Sequence, residues 1–243
     1  MPEGPSILIA KEKLSELKGK KIISVTGDAK IDMVRIIGNR ITDLKSWGKH
    51  FLICFPKFFL RIHFMMFGTY RLNERKAAHP RLRLAYKEGE VNFYTCIITL
   101  HEGLPADFYD WEKDIMSHQW NSRKAKNSLK ILDKAMVCDV LLDQSIFSGV
   151  GNIIKNESLF RARIHPESRV GALPPVKVTA MIKEAHDYSF DFYRWKKINE
   201  LSKHFLVYEK SDCPRCKIPL VKKYIGKGKR LTCFCSNCQI LYR

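Results

Sequence analysis

Cys213-Pro-Arg-Cys216 and Cys235-Ser-Asn-Cys238 form two Cys-x-x-Cys knuckles with 18 residues between them. At that spacing four thiolates close a tetrahedral shell around Zn²⁺ in a β-ribbon. A shell with no open position is structural, so one ion would fold the module and do no chemistry. Cys233 is a competing thiol, but it cannot make a knuckle with Cys238. At the other end, Pro2-Glu3 suits covalent chemistry. Initiator Met is removed when Pro follows, and a free secondary amine near its pKa of about 8 is partly neutral and nucleophilic. Its attack on a sugar aldehyde carbon gives an iminium, an electron sink, and Glu3 beside it can carry protons. Pro2-Glu3 also reads as a plain helix lead-in. Gly149-Val-Gly151-Asn152 is a turn in which Asn152 opens a helix whose unpaired amides suit a phosphate; an ordinary helical hairpin reads the same way. Lys49, after Gly48 at the mouth of a strand, can reach a phosphate or sit in solvent. His63 to Gly68 places four large apolar side chains in one turn, either core or a wedge for a base stack that has lost a nucleotide.

The elements that hold these residues follow from hydrophobic periodicity. Pro5 to Leu17 reads as a helix with Ile7, Ala10, Leu14 and Leu17 on one face and Gly19 as its stop. From Lys20 to His101, period-two runs predict eight short strands: 22–25, 34–37, 50–55, 59–64, 68–72, 82–86, 91–94 and 97–100. Their spacing predicts a two-layer sandwich or flattened barrel. The pattern weakens from Leu104 to Asn121, which marks a boundary. Ser122 caps a helix to Leu132, Met136, Val140 and Leu141 share a helix ending near Asp143, and Ile153 to Phe160 form the next. Pro174-Pro175 starts a long helix with Val178, Met181, Ile182, Ala185, Tyr188, Ser189 and Phe192 on its core face. The fold expected is α+β, in three parts: residues 1–115, a β-sandwich with an N-terminal helix; 116–203, helical; and 204–243, a zinc-binding β-hairpin.

Charge narrows the partner. Forty-three Lys and Arg against 25 Asp and Glu give a formal net charge of +18 over 243 residues, which favours nucleic acid over a membrane surface. Lys210 to Arg243 is itself strongly basic, with Gly226-Lys227-Gly228 at a hairpin tip and Lys229-Arg230 on the return strand. A ribbon of that charge suits a DNA backbone, although a zinc ribbon can also serve only to dock protein. No apolar run approaches a membrane span, and the start lacks the regions of a signal peptide. With five of eight cysteines in the last 31 residues, the pattern is metal spacing plus buried thiols in a reducing compartment. A soluble, cytoplasmic, DNA-associated monomer is expected.

Pro2-Glu3-Gly4-Pro5, Gly48-Lys49, His63 to Gly68, Leu142-Asp143-Gln144 through Gly151-Asn152 and Glu157 to His165-Pro166, Val207-Tyr208, and Arg230-x-Thr232-x-x-Cys235-x-x-Cys238-Gln239 together resemble the formamidopyrimidine-DNA glycosylase and endonuclease VIII family. The resemblance covers essentially the whole chain, in order. It implies a base-excision repair enzyme with a β-sandwich, a helix-two-turns-helix domain and a zinc finger acting on damaged double-stranded DNA. By that likeness Pro2 is the Schiff-base nucleophile and Glu3 the proton shuttle. Lys49, Asn152 and Arg230 are phosphate contacts, Lys49 within the catalytic group, and Met66 fills the vacated stack. Base loss would be followed by β,δ-elimination, a DNA glycosylase and AP lyase in one chain.

Ser6 and Ile154 stand where the family usually has Glu and Tyr. Ile198 to Tyr208 lacks the longer Gly- and Thr-rich loop of glycosylases that excise oxidised guanine. The chain therefore looks closer to the endonuclease VIII branch and to oxidised pyrimidines. The rival readings are an oxidised-purine glycosylase of the same family and a non-catalytic zinc-ribbon DNA-binding protein.

Overall fold

The computed structural model describes residues 2–243 and divides into two compact units, Met1–Asp110 and Trp111–Arg243. The expected removal of Met1 concerns a residue outside those described. The first unit begins with α1 (Gly4–Lys13), carrying Pro in its first turn and continued by a 3₁₀ turn at Ser15–Leu17. Ile7, Ala10, Leu14 and Leu17 are buried, as their spacing requires.

Six antiparallel strands follow: β1 (Ile22–Thr26), β2 (Asp43–Trp47), β3 (His50–Cys54), β4 (Phe58–Leu72), β5 (Leu82–Tyr86) and β6 (Gly89–Glu102), in the spatial order β1-β5-β6-β4-β3-β2. The eight short strands expected from sequence thus resolve differently. Segments 59–64 and 68–72 are two halves of β4, and 91–94 and 97–100 are two halves of β6. Val34–Ile36 is a 3₁₀ turn with only Ile36 turned inward, while Val34 is 79% exposed. Asp43–Trp47, whose mixed polarity hides any alternation, is a strand.

The two long strands make the layers. Phe64 pairs with Cys96 and Thr69 with Tyr94, so Met65 to Gly68 lie opposite Thr95 alone. That four-against-one bulge breaks the ladder and lets the sheet double over. Phe51 on β3 meets Phe93 at 6.2 Å, and Phe64 meets both Tyr70 and Phe93, joining the two halves in one core. On the outer face of β3 and β4, Phe59 packs against Phe108 and Tyr109.

In the second unit, α2 (Ser122–Leu129) is capped by Asn121, whose side chain accepts from Lys124 N–H at 3.0 Å. The short α3 (Val137–Val140) leads through the glycine turn to α4 (Asn152–Ala162), which ends on Arg163 at φ 58°. The long α5 (Pro175–Lys197) buries Met181, Ile182, Ala185, Tyr188, Ser189 and Phe192, the stripe read from its 3.6-residue period. A two-stranded ribbon, β7 (Val221–Ile225) and β8 (Arg230–Phe234), completes the unit. No described helix is long and apolar enough to cross a membrane.

Candidate nucleic-acid interface and metal centre

In the first unit, Glu3 is the residue before α1, extended at φ −115° and ψ 172°, and its carbonyl accepts from Ser6 N–H at 2.8 Å. Pro5 suits the first turn of α1, where its missing N–H would have no partner inside the helix. Glu3 is only 2% exposed and Pro2 beside it is half-buried. A buried carboxylate at a helix N-terminus is held where the helix dipole favours it.

Gly48 and Lys49 are the two turn residues between β2 and β3, which pair Trp47 with His50. Gly48 takes φ +52°, as a tight hairpin demands of its first turn residue. His50 pairs in turn with His63, their rings 5.5 Å apart, next to the hairpin end that carries Lys49. Tyr109 Oη meets His50 Nδ1 at 3.4 Å, while Trp47 Nε1 donates to the Asp110 carbonyl. Burial, then the charge of Arg61, lowers His50 to about pKa 4, and burial lowers His63 as well. Burial thus disfavours the charged form of both imidazoles beside the Lys49 turn. His50 and His63 carried no individual role in the sequence; their register across β3 and β4 is what identifies them.

Past His63, the bulge presents Met65, Met66 and Phe67 at 42%, 56% and 86% exposure. Met66 is thus at the surface, the alternative to a core position. Phe67 has φ +66°, and at Gly68 a Cβ would sit 2.6 Å from the Thr95 carbonyl oxygen.

In the second unit, Gln144 stitches the glycine turn. Its amide donates to the Leu142 and Val150 carbonyls at 2.8 and 3.0 Å and its oxygen accepts from Gly149 N–H. Asn152 opens α4 as expected, but its side chain is 7% exposed and donates to the Leu231 carbonyl at 2.9 Å. Two neighbours on the same face, unnoticed in the sequence, do similar work. Lys155 Nζ, fully buried, donates to Thr232 Oγ1 at 2.8 Å, and Asn156 Oδ1 accepts from Cys233 N–H at 2.8 Å. Helix α4 and strand β8 are thereby joined side chain to backbone. A signal existed in the i, i+3, i+4 spacing of three polar residues inside an apolar helix.

Glu157, also buried, turns to the segment before the ribbon. It accepts from Leu206, Val207 and Tyr208 N–H groups at 2.8–3.1 Å. Burial raises its carboxyl, while those amides and Arg161 pull it back.

Arg230 begins β8 and pairs with Ile225. The tip before it is held from outside the ribbon: Lys227 N–H donates to Asp139 Oδ1 at 2.8 Å, and Gly226, at φ +80°, lies where any Cβ would strike that carboxylate. Beyond β8 the Cys213, Cys216, Cys235 and Cys238 sulfurs lie within 4.8 Å of one another, with Cys213 and Cys238 at 3.8 Å. Four thiolates about 2.3 Å from a central ion in a tetrahedron stand about 3.8 Å apart, so the cluster fits a metal. Cys233 is buried and outside the cluster, its N–H committed to Asn156. Gln239 locks the knuckle to α4's end, accepting from Cys235 N–H and donating to the Ile164 carbonyl.

Comparison with known proteins agrees with this arrangement. The formamidopyrimidine-DNA glycosylase N-terminal domain matches residues 1–97, and the H2TH domain of the same glycosylase matches residues 113–188. Endonuclease 8-like 3 of Mus musculus is 33% identical over 205 residues, covering 81% of this chain and 34% of that protein. A viral DNA glycosylase crystal structure superposes with a TM-score of 0.86 at 23% identity, covering 98% of this chain and 100% of that one. The formamidopyrimidine-DNA glycosylase of Lactococcus lactis, bound non-covalently to DNA containing an AP site, gives 0.85 at 22% identity over 98% and 99% of the two chains. The chain belongs to the formamidopyrimidine-DNA glycosylase and endonuclease VIII family. It spans about a third of the length of the endonuclease 8-like 3 proteins it matches.

Proposed function

We propose that the protein is a base-excision repair DNA glycosylase with AP lyase activity, acting on oxidised pyrimidines in duplex DNA. The observation that carries this is Glu3, a carboxylate 2% exposed at the head of α1 beside Pro2, in a chain matched by both domains of the family. In the form of the protein that starts at Pro2, the amine attacks C1′ of an extruded nucleotide, the C1′–N bond breaks and the base leaves with a proton. The C1′–O4′ bond of the resulting aminal then opens to leave the iminium, with Glu3 moving the proton that O4′ takes up. The iminium acidifies C2′–H, whose loss expels the 3′ phosphate by β-elimination, and a second elimination expels the 5′ phosphate. Flipping costs a few kcal/mol and least for damaged bases.

Lys49, Asn152 and Arg230 hold phosphates, and Met66 occupies the emptied stack. Zn²⁺ on Cys213, Cys216, Cys235 and Cys238 fixes the ribbon and does no chemistry, since thiolates fill its shell. Preference for pyrimidines is supported by Leu201–His204, a compact 3₁₀ turn whose His204 stacks on Trp195 at 4.1 Å. That stretch holds no long loop to fold over a purine.

Borohydride trapping on an oxidised-pyrimidine duplex tests the reading. A chain starting at Pro2 is expected to become covalently attached to DNA, and one retaining Met1 is not. Equal trapping of both overturns Pro2 as the nucleophile in favour of another amine, and trapping of neither leaves a DNA-binding protein.

A further inference from the structure

Five cations from three stretches of chain converge on one hollow in the first unit, and the glycosylase reading uses none of them. Lys18, Lys20, Lys21, Arg40 and Lys87 line a cavity of about 670 Å³, in which Glu88 is the one acid and Ile23 the one apolar side chain. Backbone pairing brings them together. Lys21 and Arg40 form an antiparallel bridge, and Gly19 N–H donates to the Ile41 carbonyl at 2.8 Å. Lys87 and Glu88 are the turn between β5 and β6, carried alongside because Tyr86 on β5 faces Ile22 on β1. Two of the cations are held in position. Arg40 Nη1 donates to the Gly19 carbonyl, and Lys20 Nζ sits 3.1 Å from the Glu88 carboxylate and 5.4 Å from the centre of the Tyr86 ring. Asp43 neutralises Lys18 at 3.1 Å, and the hollow keeps a surplus of positive charge.

Two rulers within the unit separate this hollow from Pro2 and Lys49. Helix α1 carries the chain ten residues from Glu3 toward the turn that leads into Lys18, a rise of about 15 Å. Strand β2 separates Arg40 from Lys49 by five residues, about 17 Å of extended chain. The composition of the hollow selects its ligand. Crowded cations gain most from a chain of phosphates, whose condensed counterions are released on binding. An acidic peptide would need apolar or aromatic anchors, and Ile23 at the edge is the only one offered. DNA is stiff over about 150 bp, so a duplex held at Pro2 and Lys49 does not curl around the unit to reach the hollow as well.

We propose that this hollow is a second phosphate-binding site whose ligand is the backbone of another duplex segment, held while the first is searched at Pro2. The role of Pro2 rests on the glycosylase reading above; the second site stands without it. A protein that grips two segments passes from one to the other without leaving DNA, and its binding to a single short duplex does not report the second grip.

The test uses the full chain and two short duplexes, one carrying a donor dye and the other an acceptor, with an oxidised pyrimidine in the first. The wild-type protein is expected to produce energy transfer between them, with sedimentation showing one chain per pair of duplexes. Lys21→Gln with Lys87→Gln, both exposed positions, should weaken this bridging about tenfold and flatten its dependence of log affinity on log salt by about two units. Affinity for the first duplex alone, covalent trapping and melting temperature should be unchanged. Bridging kept in full by the double variant, or two chains per pair, overturns the site. Tripolyphosphate bound by the wild-type protein and lost in the variant, without bridging by either, overturns the duplex as the ligand in favour of a free polyphosphate. Absence of both bridging and tripolyphosphate binding overturns the inference while trapping on the first duplex leaves the glycosylase reading intact. Bridging without trapping supports the second site and overturns that reading alone.

Discussion

Two turns in this protein, one in each unit, are built in opposite ways. The tip at Met65–Gly68 in the first unit is apolar and carries a phenylalanine at φ +66°. The tip at Gly226–Lys229 in the second is cationic, places glycine at φ +80°, and is tied by Lys227 N–H to Asp139. Left-handed backbone costs a non-glycine residue about 1–2 kcal/mol, and a large apolar side chain left in water forgoes about 1.5–3 kcal/mol of burial. The first tip therefore leaves in water an apolar surface that burial would stabilise. The second is completed by the chain itself and offers charge, which water already solvates. The two turns thus expose opposite chemistry, apolar surface in one unit and charge in the other.

The contrast can be broken by perturbing one unit at a time, and metal removal should act hardest. Structural Zn²⁺ in small modules contributes on the order of 10 kcal/mol, so Cys235→Ser or chelation should unfold the β7–β8 ribbon and release α4's partners at Leu231 to Cys233. Metal stoichiometry with amide exchange of β8 reads this. Cys233→Ser should keep full metal, and the reverse pattern would sink the four-thiol assignment.

Next in size is Gly226→Val. A branched side chain at positive φ facing Asp139 should cost about 1–3 kcal/mol in thermal unfolding while the metal stays bound. No loss would mean that the tip is not held there. Acid should act on the other unit. His50, lowered to about 4 from an ordinary 6.5, is neutral in the fold. Its stabilising contribution is complete above pH 6.5 and is lost as pH falls toward 4, by up to about 1.4 kcal/mol per pH unit. His50→Phe should flatten that limb in urea titrations followed between pH 7 and 4. An identical acid limb in the variant would remove His50 as its cause.

Much of this was legible beforehand where one residue's environment is set by its near neighbours. The stripe on α5, the inward face of α1 and the two Cys-x-x-Cys knuckles are local patterns, and each stands as read. Strand β2 was hidden because Asp43, Lys45 and Ser46 are held by hairpin pairing to β3, not by alternation of their own. Val34–Ile37 alternated weakly and became a 3₁₀ turn. The bulge was invisible for a different reason: Phe59 to Phe64 and Gly68 to Leu72 look like two strands with a turn, and only pairing with β6 shows one strand with four residues pushed aside. The sequence leaves this turn open between core and wedge and singles out Met66 only through the family resemblance, whereas the left-handed backbone of Phe67 shows only in the fold. Lys155 and Asn156 escaped notice because a buried lysine is rare unless partnered, and its partner is 77 residues away.

Glu157 bears on the order in which the second unit is put together. Helix α4 leaves the ribosome well before Leu206, Val207 and Tyr208, so during synthesis this carboxylate waits in water for amides that do not yet exist. Stripping it of water with only part of that set in place would cost several kcal/mol. The three amides of 206–208 are therefore expected to dock on α4 together, ahead of the ribbon that follows them in the chain. Cys213 and Cys235 pack in one cluster with Val207 and Phe160, so the cysteine module is built onto the segment that Glu157 holds.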